Sequence, residues 1–301
     1  MDTREIRGER AGDDGPGAAG GPRHEPGAAG GPRHGRHERH ERPGGAGTVP
    51  DAPAGAAGGR GLRAAGGLLL AAMVAAQVAS GLRPGDLRLT SAVVVLLAAA
   101  ALAFAGAAHT PRRAFAAFAA AVAVGYAAEW AGTRTGLPFG EYRYTGLLWP
   151  HPGGVPLVVA LAWGGMGLAA HAVARRAVPG SRPVRLLVGA AALTAWDLFL
   201  DPQMVRLGLW TWAEQGPYRG VPLSDFAGWL LVSLLVVAVI DRVAGPARAG
   251  TGLVVLYTVM AAMETLGFAA VFRPPDPLVA TVGGVAMGAF ALLAWRRPWR
   301  A

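Results

Sequence analysis

The chain has 301 residues, 52% of them hydrophobic and only 16% charged, and its mean hydropathy of +0.35 is high for a soluble domain. It has no cysteine, which excludes disulfides and thiolate metal sites. The formal charge of +9 would suit nucleic acid, but the arginines gather in a tail and in short loops between apolar runs. That is the pattern of membrane topology, and no nucleic-acid partner is expected.

Residues 1–60 are mostly Gly, Ala, Pro, Arg and His, too polar to bury the surface that folding requires. A disordered low-complexity tail is expected there, since Gly-Ala-Ala-Gly-Gly-Pro-Arg-His occurs at 17 and again at 27. His24, His34, His37 and His40 read better as part of that solvated tail than as a metal site. No secretory signal is expected, because no apolar core follows the first charges.

Residues 61–301 read as one transmembrane domain. Apolar runs of about twenty residues are long enough to cross a hydrocarbon core about 30 Å thick. Spans are expected at 62–80, 89–109, 114–132, 155–174, 183–201, 224–240, 251–271 and 277–295. The fold class is therefore all-α, a polytopic membrane helical bundle of about eight transmembrane helices lying in the cell membrane. With both termini cytoplasmic, eleven arginines beyond the tail fall on the inner side (112, 113, 175, 176, 182, 185, 242, 248, 296, 297, 300). Seven fall on the outer side (83, 88, 134, 143, 206, 219, 273), a bias in the expected direction.

Within this domain one pattern is written twice. Trp130, Gly154-Val155-Pro156-Leu157 and Trp163 recur sixty-six positions later as Trp196, Gly220-Val221-Pro222-Leu223 and Trp229. The repeat predicts two helical hairpins of the same build, an internal direct repeat at the centre of the protein. Each encloses a long loop, 133–154 and 202–223, and loops of that length in compact proteins usually carry function.

Acids sit inside these apolar segments. Glu129, Asp197, Asp201 and Glu264 all fall in the outer half of the bilayer in this topology, on the side of the two long loops and of Asp225. A carboxylate costs about 2.5–3.5 kcal/mol to insert at a helix centre, so such residues normally face a bundle interior and have a task. Asp197 and Asp201, four apart, share one helix face. Like charges that close tend to leave one carboxyl protonated, and a protonated carboxyl is a general acid. The alternative for Asp201 is pairing with Arg134, Arg143 or Arg206.

Trp163, Trp196 and Trp229 are placed to wall a pocket, where an indole face can stabilise a cation by about 2 kcal/mol. Trp130, Trp210, Trp212 and Tyr218 are placed where the interfacial habit of aromatics explains them. With Phe139, Tyr142 and Tyr144 from the loops, Trp130, Trp210 and Tyr218 are also candidate substrate contacts. His171 reads as structural. No P-loop, zinc helix motif, nucleophile elbow or dinucleotide glycine pattern occurs in the sequence.

The strings Thr135-Gly136-Leu137-Pro138-Phe139-Gly140-Glu141-Tyr142, Gly154-Val155-Pro156-Leu157 with Trp163, Asp201-Pro202 with Val205 and Trp210, and Tyr218-Arg219-Gly220-Val221-Pro222-Leu223 with Trp229 resemble the CruF-type carotenoid biosynthesis proteins. These are membrane carotenoid 1,2-hydratases acting on an acyclic ψ-end group. The resemblance covers residues 62 to 295 and is densest from 125 to 230. It implies addition of water across a terminal C1–C2 double bond without cofactor or metal, on a lipid-soluble carotenoid reached from the bilayer, with other carotenoid-pathway membrane enzymes as candidate partners. In that chemistry Asp197 or Asp201 is the acid, Glu129 or Glu264 positions water, and Trp163, Trp196 and Trp229 face the cation. The rival readings are a carotenoid cyclase, which starts from the same protonation, a proton-coupled transporter, and a structural partner in a carotenoid complex.

Overall fold

The computed structural model describes residues 54–245 and 250–296. The expected tail up to residue 53, with His24, His34, His37 and His40, lies outside the described residues, as do Arg248, Arg297 and Arg300. Among the described residues there are eight helices long and apolar enough to cross a membrane. They are α1 (Ala54–Leu82), α2 (Leu87–Ala108), α3 (Pro111–Thr135), α4 (Leu157–Ala177), α5 (Arg182–Arg206), α6 (Leu223–Ala244), α7 (Thr251–Leu266, extended by a π-helical turn Gly267–Val271) and α8 (Pro277–Trp295).

Local chemistry sets the ends. Thr110 accepts from the Arg113 N–H and Asp276 from the Val279 N–H, each ahead of a proline in the first turn, where its missing N–H costs nothing. The repeated Gly-Val-Pro-Leu is a helix start: Pro156 and Pro222 are the extended residues before α4 and α6, and Leu157 and Leu223 begin them. The backbone repeats with the sequence, since φ is 88° at Gly154 and 87° at Gly220.

The largest shift of an expected C-terminal end is in α5. α5 runs through Pro202 to Arg206, past the expected end at 201. Proline leaves the carbonyl four residues back without its helical donor, and that carbonyl, Leu198 O, accepts from the Tyr218 hydroxyl at 3.0 Å. A side chain from the following loop supplies the bond that the helix lacks.

α4 is the hub. It packs on α2, α3, α5, α6, α7 and α8 and is the most buried of the eight spans. The two repeated hairpins, α3–α4 and α5–α6, pack directly against each other. α3 packs on α6 and α5 on α4, contacts that interconvert when α3 is exchanged with α5 and α4 with α6. The long loops carry short strands, β1 (Tyr142–Tyr144) and β2 (Trp210–Trp212), which pair antiparallel with Tyr144 opposite Trp210. Those two residues are sixty-six apart, as are Trp163 and Trp229, whose rings stack at 4.0 Å and 19°. Equivalent residues touching each other mark a local two-fold axis, which passes through the tryptophan stack and the two-stranded lid. At the other end of the bundle Asp241 gathers Arg182 at 2.8 Å, His171 at 3.3 Å and Arg185 at 3.4 Å, so His171 belongs to a staple between helices.

Candidate active site

Four carboxyls converge beneath the lid. Glu129 comes from α3, Asp197 and Asp201 from successive turns of α5, and Asp225 from the first turn of α6; all are buried, at 4%, 0%, 2% and 1% exposure. The acids break the two-fold pattern, because the positions equivalent to Glu129, Asp197 and Asp225 are Ala195, Ala131 and Val159. A symmetric frame thus holds an asymmetric site.

Glu129 receives three side-chain donors. The Tyr142 hydroxyl bonds to it, the Tyr144 hydroxyl reaches Oε2 at 2.7 Å, and the Trp163 indole N–H reaches Oε1 at 3.0 Å. All three donate, which is the bonding of an acceptor-only carboxylate. Burial, and then the charge of Glu129, push both tyrosine hydroxyls above their ordinary range, so they remain donors. Two glycines allow the approach. A Cβ on Gly125, one turn before Glu129, would strike the Trp163 indole, and one on Gly132 would come within 2.8 Å of Phe139 and 3.1 Å of the Tyr142 hydroxyl.

Asp197, Asp201 and Asp225 form a separate trio, each offering an oxygen within 4.8 Å of the others. Both Asp197 oxygens and one each from Asp201 and Asp225 have no hydrogen-bond partner among the described residues. Of the expected arginine partners, Arg134 donates to Trp130 O and Gly153 O, Arg206 donates to Pro274 O, and Arg143 is exposed on the lid. At such separations each pair of like charges costs about 3 kcal/mol or more at an effective dielectric of about 20. A trio of this kind holds a proton in common or takes up a cation, and its hard oxygen donors are of the type that bind magnesium or calcium.

Asp201, Asp225 and Glu129 meet at one small cavity, lined also by Phe139, Tyr142, Tyr144, Val159, Trp210, Trp212 and Trp229. Asp201 and Asp225 face it, and Asp197 backs them. A second cavity adjoins it through Val159, Trp210 and Trp229, and apart from Thr90 and Ser91 its walls are apolar or aromatic, among them Val94, Leu148, Trp163, Leu200 and Met204. It lies between the start of α2 and the end of α5 and is small, about 30 Å3.

The structure brings Glu129, Asp197, Asp201, Phe139, Tyr142, Tyr144, Trp163, Trp210 and Trp229 together, with Trp196 edge-on to Trp229 at 6.4 Å. Others stand apart. Glu264 is buried on α7 but lines neither cavity. Trp130 is 46% exposed with the Arg134 guanidinium 4.1 Å above its ring, and Tyr218 serves the Leu198 carbonyl. Two residues join the site that were not among the candidates, Asp225 and Trp212. An acid in a first helical turn reads as a partner of the helix dipole, and a tryptophan in a loop as an interfacial anchor, so neither carried a distinguishing signal.

Fold and site together define a polytopic helical membrane protein with a buried carboxyl centre, roofed by aromatics and open to an apolar cavity. The family described as "Carotenoid biosynthesis protein" matches residues 90–294, from α2 to α8 and including every carboxyl of the site, and the chain belongs to that family. It is also similar to the bisanhydrobacterioruberin hydratase of Haloarcula japonica, at 36% identity over 136 residues. That match takes in 43% of this chain and 45% of the relative, so the chain spans less than half the length of that protein. No solved structure matches the chain.

Proposed function

We propose that the domain from residue 61 onward is a carotenoid hydratase, which adds water across the C1–C2 double bond of the ψ-end group of an acyclic or monocyclic carotenoid. One observation carries this reading: carboxyls of Asp201 and Asp225, without a basic partner among the described residues, open onto an aromatic cavity that continues into an apolar one. A proton source set against an oily slot suits an electron-rich alkene, and the 36% identity to a hydratase supports water as the second reactant.

In this mechanism the polyene end enters from the bilayer between α2 and α5. Asp201 or Asp225 transfers its proton to C2, the C1–C2 π pair forms the new C–H bond, and a tertiary cation is left at C1. Asp197, behind them, positions the pair and shares their charge. The indole faces of Trp163 and Trp229 offset the cation by about 2 kcal/mol once water is excluded, and the Trp163 N–H bond to Glu129 enriches its ring further. Water adds at C1, and a carboxylate, Glu129 or the acid just deprotonated, accepts the proton released from the oxonium. One water is consumed and no electrons are exchanged, so the step balances without a redox cofactor. Glu264 has no part in it. On this reading the lid end faces the outer side and both termini are cytoplasmic, an orientation that the arginine bias supports.

Membranes carrying the chain, incubated with an acyclic ψ-ended carotenoid in 18O-labelled water, are expected to give a more polar product heavier by one labelled water. An unlabelled isomer with a ring would instead identify a cyclase.

A further inference from the structure

We propose that water reaches the carboxyl centre by its own entrance, from the aqueous end of the bundle, and that the Tyr142 and Trp212 side chains are the door. The inference rests on the hydratase reading and concerns how its second reactant arrives. A third cavity lies on the outer face of the lid, walled by the last turn of α3 and by Thr133, Glu141, Arg143 and Thr211. It is polar where the cavity between α2 and α5 is apolar. Tyr142 and Trp212 line both this vestibule and the carboxyl cavity. They are direct partners in the ladder, with inward side chains 5.2 Å apart between ring centroids, while their neighbours Arg143 and Thr211 point outward and are exposed. One pair of rings therefore divides the aqueous vestibule from Asp201, Asp225 and Glu129.

Hydrogen bonding behind the door identifies what passes. The indole N–H groups of Trp210 and Trp212, Asp201 Oδ2 and Asp225 Oδ2 are buried without a partner among the described residues. A hydrocarbon end group offers them neither donor nor acceptor. Water offers both, and buried polar groups without protein partners are the usual hosts of ordered water. Tyr142 is tied to Glu129, which leaves Trp212 as the leaf that moves. Separate entrances also answer a difficulty of the reaction, since a polyene filling the lipid-side cavity would block any water behind it.

The sequence has no cysteine, so single thiols can be introduced on a silent background. Thr133→Cys and Thr211→Cys place one in the vestibule. Gly85→Cys places one in the turn between α1 and α2 at the same end of the bundle, where an added Cβ meets nothing within 4 Å. Each variant in membranes is assayed for carotenoid hydration before and after a bulky, charged, membrane-impermeant thiosulfonate, with labelling measured by mass. Unmodified variants are expected to hydrate like the parent. Labelling at 133 or 211 is expected to lower hydration about tenfold or more, labelling at 85 to leave it unchanged, and a thiol reductant to restore it. Full labelling at 133 and 211 with undiminished hydration overturns the separate entrance, as does equal loss at all three positions. Absence of hydration from the unlabelled parent overturns the hydratase reading itself and this inference with it.

Discussion

Glu129 and Asp225 are both buried carboxyls, but their surroundings predict opposite consequences of losing the charge. Glu129 receives three donors; Gln in its place turns an N–H2 group toward at least one of them. Glu129→Gln is therefore expected to cost about 1–3 kcal/mol of stability, seen as a lower unfolding temperature in detergent, together with loss of hydration. Asp225 sits among repelling carboxyls with an oxygen that no donor among the described residues reaches. Asp225→Asn, like Asp201→Asn, is expected to insert normally and melt no lower than the parent while hydration falls about 100-fold or more. Normal product from either Asn variant would remove that residue from the chemistry. The sequence shows which acids are expensive, because an ionisable residue in an apolar run stands out, and Asp197, Asp201 and Glu129 were legible for that reason. It does not show which acids meet. Glu264 has the same signature and lines neither cavity, whereas Asp225, at a helix start, looks ordinary and completes the trio.

Among the elements, α5 shows where local reading stops. A proline after an apolar run ends a helix in most contexts, and nothing within a turn of Pro202 says otherwise. The bond that lets α5 continue comes from Tyr218, sixteen residues further on. Tyr218→Phe keeps the ring against Phe226 and removes only the hydroxyl. It is expected to cost about 1–3 kcal/mol through the orphaned Leu198 carbonyl and to lower hydration, because Leu198 lies between the two turns that carry Asp197 and Asp201. An unchanged melting temperature would show that water replaces the hydroxyl at no cost. The spans themselves were legible throughout, since length and hydropathy decide them. Gly-Val-Pro-Leu was legible as a repeated element, and its physical sense is an extended Val-Pro step that launches a helix.

At the scale of the whole molecule, a direct repeat states that two hairpins share a build but not how they meet. Chains can stack repeats side by side in one direction or set them face to face about an axis, and hydropathy is the same in both. The deciding contacts are between equivalent residues, Trp163 on Trp229 and Tyr144 opposite Trp210, and they require the face-to-face arrangement. Cross-linking tests it directly. Arg143 and Thr211 are register partners on the outward face of the lid, and directly opposed residues in an antiparallel ladder have Cα atoms about 4.5–5.5 Å apart, inside the range that a disulfide spans, about 4.4–6.8 Å. In the chain carrying Arg143→Cys and Thr211→Cys, mild oxidation is expected to form an intramolecular bridge, seen as loss of two free thiols and a reversible shift in gel mobility without dimer. Hairpins stacked in one direction would hold these loops apart, and both thiols would then stay free to label after oxidation. That outcome would also remove the shared roof over Glu129, because Tyr142 and Tyr144 reach it from a strand that β2 holds in place.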